Sequence, residues 1–388
     1  MIPQIINLTP IDVFRYYSNK YGVSEGRYSF GLFGLEIRHL RRKEAENYES
    51  IISSYKERVY LSVEEEDLVS IFIIGSVRRF KLIAERILRK VQGNSTIKLF
   101  NTINFFENYD LINYRIGNKL FEFKDVYVMG ILNVTPDSFS DGGKYLDKTR
   151  AINFGVKMLQ NGADIIDVGG ESSRPGAHTI EVETEIKRVI PVVEGILLKK
   201  PDAIISVDTT KNEVAELALK TGAKIINDIS GGTFEPKILE TAANNKAVYI
   251  IMHMKGTPKD MQTNPEYINV IEEIYDFLYK QISKAKAAGI QHIIVDPGIG
   301  FGKRVEDNFH IIKRLDDFKS LSYPILLGVS RKSFLGKFLD LKLDDRAIPT
   351  SITESFAVER GARIIRTHNV RNGVMLKNLM NKSRSVTV

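Results

Sequence analysis

The chain has no cysteine and no tryptophan among its 388 residues. Without cysteine there is no disulfide framework, no thiolate-bound zinc, no iron–sulfur ligation and no cysteine nucleophile. No apolar run approaches the ~18 residues that a bilayer-spanning helix needs, so no membrane partner is expected. The first thirty residues lack a basic stretch followed by an uninterrupted apolar core. That argues against a secretory signal and for a cytoplasmic location. The six histidines are scattered, with no H-E-x-x-H or similar pairing. A metal, where one is used, is expected to be Mg²⁺ carried in on a phosphate with most of its waters kept. There is no basic tail either. The net charge of +7 is spread among acidic residues, and the densest cluster (Arg38, Arg41, Arg42, Lys43) is short. No nucleic-acid partner is therefore expected, and a small anionic substrate accounts for the excess equally well.

What is present is globular in composition, with 43% apolar and 27% charged residues, and long enough for one large and one smaller domain. The character changes near residues 121–126. Before that point, 45–59 and 78–91 read as amphipathic helices and 68–74 as a strand, with no chemical motif. Residues 1–122 are read as a small α/β domain. Afterwards β-branched runs alternate with helix-period stretches. The runs are 127–132, 164–168, 203–207, 224–226, 247–252, 292–295, 324–328 and 363–366. The stretches between them include 150–160, 181–198, 212–220, 267–288, 305–315 and 350–360. Near-continuous apolar strands with helical crossovers predict a parallel sheet. Eight such units predict a (β/α)₈ TIM barrel over 123–388 rather than an open doubly wound sheet, and no G-x-G-x-x-G follows the first strand.

Every predicted strand ends in polar or glycine-containing sequence. One aspartate at a strand end serves equally well as a helix N-cap. Eight polar ends converging on one barrel face are an active site. Asp167, Asp208, Asn227 and Asp296 can accept hydrogen bonds from a donor-rich ligand, whereas Arg174, Lys332, Arg366 and His368 can hold an anion. The pattern suits an N–H-rich heterocycle carrying phosphate. The first two loops are long and polar and suit lids over a substrate. The glycines of 298–302 allow backbone to approach a flat ligand, on which Met254 and Phe301 can pack. Their spacing is not that of a Walker loop. His292, before an apolar run, reads as structural.

Residues 130–143 (GILNVTPDSFSDGG) resemble the first signature of the dihydropteroate synthases, and 167–176 (DVGGESSRPG) the second. Ser206-Val207-Asp208-Thr209, Asn227-Asp228, 253–258 (HMKGTP), Asp296-Pro297-Gly298, Ser330-Arg331-Lys332-Ser333 and Arg366-Thr367-His368 follow in that family's order. The resemblance covers about 125–375. It implies condensation of 6-hydroxymethyl-7,8-dihydropterin diphosphate with p-aminobenzoate, giving 7,8-dihydropteroate and diphosphate in folate synthesis. It also implies Mg²⁺ and a homodimer. By position, Asp208, Asn227, Asp296, Lys332 and Met254 would line the pterin pocket. Asn133, Arg366 and His368 would hold the diphosphate, with Asn133 near Mg²⁺. Phe139, Ser173, Arg174, Pro175 and Ser333 would meet the arylamine. Asp141 matches the loop carboxylate that would stabilise a cationic pterin, so that Asp141, Lys332, Arg366 and His368 would form the catalytic set. Ser173 stands where threonine is usual and Asn369 where aspartate often follows the histidine. The alternative within this resemblance is a related transferase taking a ribosylated aminobenzene phosphate, as in methanopterin-type pathways.

Overall fold

The first 109 residues alternate strands with amphipathic helices. In the computed structural model, which describes residues 1–65, 67–135 and 144–386, they form one compact unit together with Asp316–Ser322. Strands β1 (Ile2–Asn7), β2 (Phe33–Arg41), β3 (Tyr60–Glu65) and β4 (Leu68–Gly75) make an antiparallel sheet in the order β1-β2-β4-β3. Helices α1 (Ile11–Tyr21), α2 (Arg42–Ser53), α3 (Val77–Lys90) and α4 (Asn94–Glu107) complete it. Side chains alternate across the pleat. Ile71 and Ile73 join a core with Tyr48, Phe80 and Leu99 of α2, α3 and α4, while Phe72 joins Phe14, Tyr17 and Tyr21 of α1. The helix expected over 45–59 ends at Ser53, because Lys56 turns the chain at a left-handed φ of 61°. Edge strand β1 is held by Ser320 Oγ, which accepts from the Ile5 amide at 2.9 Å across 315 residues of sequence. No local pattern announces that partner.

The second unit comprises Asp110–Leu315 and Tyr323–Val388. It opens with a hairpin, β5 (Asn113–Ile116) and β6 (Lys119–Glu122). Then come β7 (Tyr127–Asn133), α5 (Lys144–Gln160), β8 (Ile165–Gly169), α6 (Val182–Lys199), β9 (Ile205–Asp208), α7 (Asn212–Thr221), β10 (Ile225–Asp228) and α8 (Lys237–Asn244). They are followed by β11 (Val248–Met252), α9 (Val270–Ala287), β12 (Ile293–Asp296), α10 (Val305–Lys313), β13 (Ile325–Leu327), α11 (Ser333–Leu339), α12 (Ala347–Glu359), β14 (Ala362–Thr367) and α13 (Val370–Ser385). The strands β7 to β14 pair in parallel and close, β14 against β7, into the (β/α)₈ barrel expected from the sequence.

The compact units divide at 109/110, not at the expected 122/123. The reason is the hairpin. Its Tyr114, Ile116 and Phe121, with Phe123 beyond it, form one core with Met129, Ile165, Ile225, Ile250, Ile294, Leu326 and Ile364 from the barrel strands. The hairpin thus fills the N-terminal mouth with apolar side chains and leaves the C-terminal mouth to the polar ones. His292 stacks on Tyr114 there, centroids 4.4 Å apart, in the structural place read for it. No helix among the described residues is long and apolar enough to cross a membrane.

Candidate active site

At the C-terminal mouth the strand ends form a buried charge cluster. Asp167, the third residue of β8, is fully buried. Its Oδ2 accepts from Arg366 Nε at 2.6 Å and from Asn227 Nδ2 at 2.9 Å. Arg366, on β14, also donates from Nη2 to Asp208 Oδ2 at 2.7 Å. Asp167 Oδ1 is buried and has no hydrogen-bond partner among the described residues. Asp296 ends β12 and accepts the Gly298 amide at 2.7 Å. Above lies a cavity of about 830 Å³, with Asn133, Ser173, Arg174, Pro175, Lys332, Ser333, Arg366 and His368 among its walls. Asp208, Asn227, Asp296 and Met254 are not wall residues of that cavity. Arg366 joins the two sets, since it faces the cavity and reaches the carboxylates. Its expected anion-binding place therefore needs amending: two of its five N–H groups are engaged by carboxylates, and among the described residues the others are left for an anion. Met254 packs with Ile229, Met252, Met261 and Phe301. Phe139 and Asp141 lie outside the described residues.

The electrostatics follow from crowding charges out of water. Burial pushes the Asp208 carboxyl up, Arg366 pulls it down, and the adjacent Asp167 pushes it up again. Burial likewise raises Asp296, against the Gly298 amide and the nearby Lys332 and Arg366. Burial also opposes the charge on Arg366, but Asp167 and Asp208 outweigh it and hold the guanidinium protonated. Lys332 is lowered to about 8 by burial, with Asp296 opposing and Arg366 reinforcing. Its ammonium lies 3.9 Å from the centroid of the Phe301 ring, a cation–π contact that partly replaces water. His368 falls to about 3, first through burial and then through Arg366, Arg331, Arg174 and Lys332. The free site therefore holds a neutral histidine among cations.

Glycines shape the wall beneath Lys332. Gly298, Gly300 and Gly302 all have left-handed φ angles. A Cβ on Gly298 would collide with the His253 carbonyl, and one on Gly302 with the Lys255 carbonyl. Lys303 follows, buried, with Nζ 3.0 Å from His253 Nδ1 and 3.0 Å from the Phe301 carbonyl. Burial drives both Lys303 and His253 toward their neutral forms. Gly298→Ala combines a disfavoured φ with a backbone clash and is expected to destabilise the barrel by about 3 kcal/mol in urea unfolding. A loss below about 0.5 kcal/mol would contradict the close approach.

Three features escaped sequence reading. Lys211, just after β9, pairs with both Glu171 of the second loop and the buried Glu185 of α6. This clamps the start of the loop that carries Ser173 and Arg174. Arg331 and Arg346 add cations to the cavity wall. Asp167 was recognisable as a strand-end acceptor, but its place at the centre of the ion-pair cluster was not. Asn369 accepts from the Asn372 amide as the N-cap of α13, a task for which Asn and Asp are equivalent.

Residues 129–368 match the family described as "Pterin binding enzyme". The chain is 46% identical to the dihydropteroate synthase of Synechocystis over 259 residues, 66% of this chain and 89% of that one. It is 45% identical to the Escherichia coli dihydropteroate synthase over 250 residues, covering 64% and 88%. Among solved structures, the Yersinia pestis dihydropteroate synthase in a sulfonamide complex superposes with a TM-score of 0.67 at 38% identity, covering 71% of this chain and all (100%) of that one. The Xanthomonas albilineans enzyme with 4-aminobenzoic acid gives 0.66 at 35%, covering 71% and 99%.

Proposed function

The chain belongs to the pterin-binding enzyme family, and from that premise we infer that it is a dihydropteroate synthase, a transferase that joins 6-hydroxymethyl-7,8-dihydropterin diphosphate to p-aminobenzoate in folate synthesis. The observation that carries the reading is Arg366, which links a set of buried acceptors to a cationic cavity. That arrangement fits a ligand with heterocyclic N–H groups at one end and diphosphate at the other.

In the reaction the bond between the pterin methylene carbon and the diphosphate oxygen breaks, and the arylamine nitrogen takes the carbon. The amine's proton is lost, and diphosphate leaves with the electron pair of the broken bond. Asp208, Asn227 and Asp296 accept or share the pterin's hydrogens, and their bonds strengthen as the ring becomes cationic. Arg366 and His368 hold the diphosphate as its charge grows. Ser173, Arg174, Pro175, Phe139 and Ser333 place the arylamine, which is neutral at pH 7 and needs orientation rather than a strong base. Asp141, by the family resemblance, would stabilise the developing cation. Among the described residues no three His, Asp or Glu side chains could hold a metal. Asn133 offers a neutral oxygen on the cavity wall, and the cations around it mean that Mg²⁺ would be held there only with the diphosphate whose charge it shares. When bound, Mg²⁺ would neutralise leaving-group charge. The enzyme is cytoplasmic and a homodimer. Exposed Ile348, Ile352 and Phe356, each four residues apart on α12, give a second copy an apolar stripe to cover.

The deciding experiment incubates the protein with Mg²⁺, the pterin diphosphate and either p-aminobenzoate or its ribosyl phosphate relative, and weighs the product. Dihydropteroate is expected from the first amine. Product from the second alone would move the enzyme to the methanopterin-type reading. A pH dependence follows as well. Lys332, lowered to about 8, is charged below that pH and neutral above it. Affinity for the diphosphate substrate is thus expected to hold up to about pH 8 and to fall beyond it. Lys332→Met should flatten that profile, and an unchanged fall in the variant would exonerate Lys332.

A further inference from the structure

We propose that Ser330 is a positioning residue that fixes which ring nitrogen of His368 carries the proton. Ser330 is buried just past the end of β13. Its Oγ lies 3.2 Å from the backbone nitrogen of His368, 3.0 Å from His368 Nδ1 and 3.5 Å from Thr367 Oγ1. These three contacts can be accounted for one hydrogen at a time. A backbone N–H only donates, so the His368 amide fills one lone pair of Ser330 Oγ. The Thr367 hydroxyl, at the limit of reach, is the weakest of the three contacts and also meets the buried Glu354 carboxyl. The serine's own hydrogen must find an acceptor, and Nδ1 at 3.0 Å is nearer than Thr367 Oγ1 at 3.5 Å. His368 is neutral in the free site because burial and four surrounding cations disfavour its charge. A neutral imidazole whose Nδ1 accepts carries its hydrogen on Nε2. The ring is thereby held in one orientation, with an N–H donor on the side away from Ser330, and His368 is a wall residue of the cavity. A neutral imidazole with the opposite tautomer would offer a lone pair there and repel an anion. That consequence for diphosphate binding rests on the function proposed above, whereas the tautomer itself does not.

The test uses the full chain labelled with ¹⁵N-histidine, the His368 signals being identified by their loss in His368→Asn. In the wild type Nδ1 should be unprotonated and Nε2 protonated. In Ser330→Ala the two signals should move toward the average of both tautomers. Affinity for inorganic diphosphate should then fall about tenfold, the value of one hydrogen bond to a charged group. Affinity for 6-hydroxymethyl-7,8-dihydropterin, which has no phosphate, should be unchanged. Ser330→Thr, which keeps the hydroxyl, should restore both readouts. A wild-type His368 protonated on Nδ1 would overturn the proposal, and so would the same tautomer in wild type and Ser330→Ala. Loss of the tautomer with undiminished diphosphate affinity would support the role of Ser330 and remove His368 from the diphosphate site.

Discussion

Arg366→Met is expected to cost about 3 kcal/mol of folding stability at neutral pH and to abolish measurable product formation. The methionine keeps the length of the stem and removes the guanidinium. Asp167, fully buried, and Asp208 then lose their common cation. Breaking a buried ion pair from one side leaves an uncompensated charge and costs about 3–5 kcal/mol, far more than the pair contributes against an apolar replacement. Without Arg366 the burial that already raises Asp208 acts unopposed, so the folded variant holds a proton that the unfolded chain has released. Its stability must therefore fall as pH rises above the ordinary carboxylate range, and the deficit against wild type should shrink toward pH 5. Urea unfolding of both proteins at pH 5 and pH 8 measures this. A deficit equal at both values would mean that Arg366 is not what opposes the protonation of Asp208.

Asp208→Ala separates binding from folding. It removes one of two adjacent carboxylates, so Arg366 keeps Asp167 while like-charge repulsion is relieved. Stability should change by less than about 1 kcal/mol. Affinity for 6-hydroxymethyl-7,8-dihydropterin should drop about 100-fold, equivalent to about 2.8 kcal/mol and within the range for a hydrogen bond to a charged acceptor. Titration calorimetry on the folded variant measures it. Retained affinity would take Asp208 out of the pterin pocket. The contrast between the two substitutions matters most: the first should damage the fold through Asp167, the second only the ligand.

The eight strands of the barrel are legible to within a residue or two at their ends, because each is a short β-branched run bounded by polar punctuation. Asp208 and Asp296 end their strands as the sequence suggests, whereas Asp167 and Asn227 lie two residues and one residue before the ends of theirs, and parallel strands still carry all four toward one mouth. The short helices α8 and α11 were not legible, having too few turns to set up a period. Nor was the hairpin, which reads as part of the preceding domain until its aromatic residues are seen filling the far mouth. It takes the closed barrel to bring Arg366 to two carboxylates as well as to the cavity, to clamp Glu171 to Glu185 through Lys211, and to set Ser330 against His368. The physical reason is common to all three. Residue type and local period fix where a side chain leaves the backbone, but a partner is chosen by distance, and these partners are tens to hundreds of residues apart in the chain. Which charges neutralise one another, and which nitrogen holds a proton, is settled only when the barrel closes.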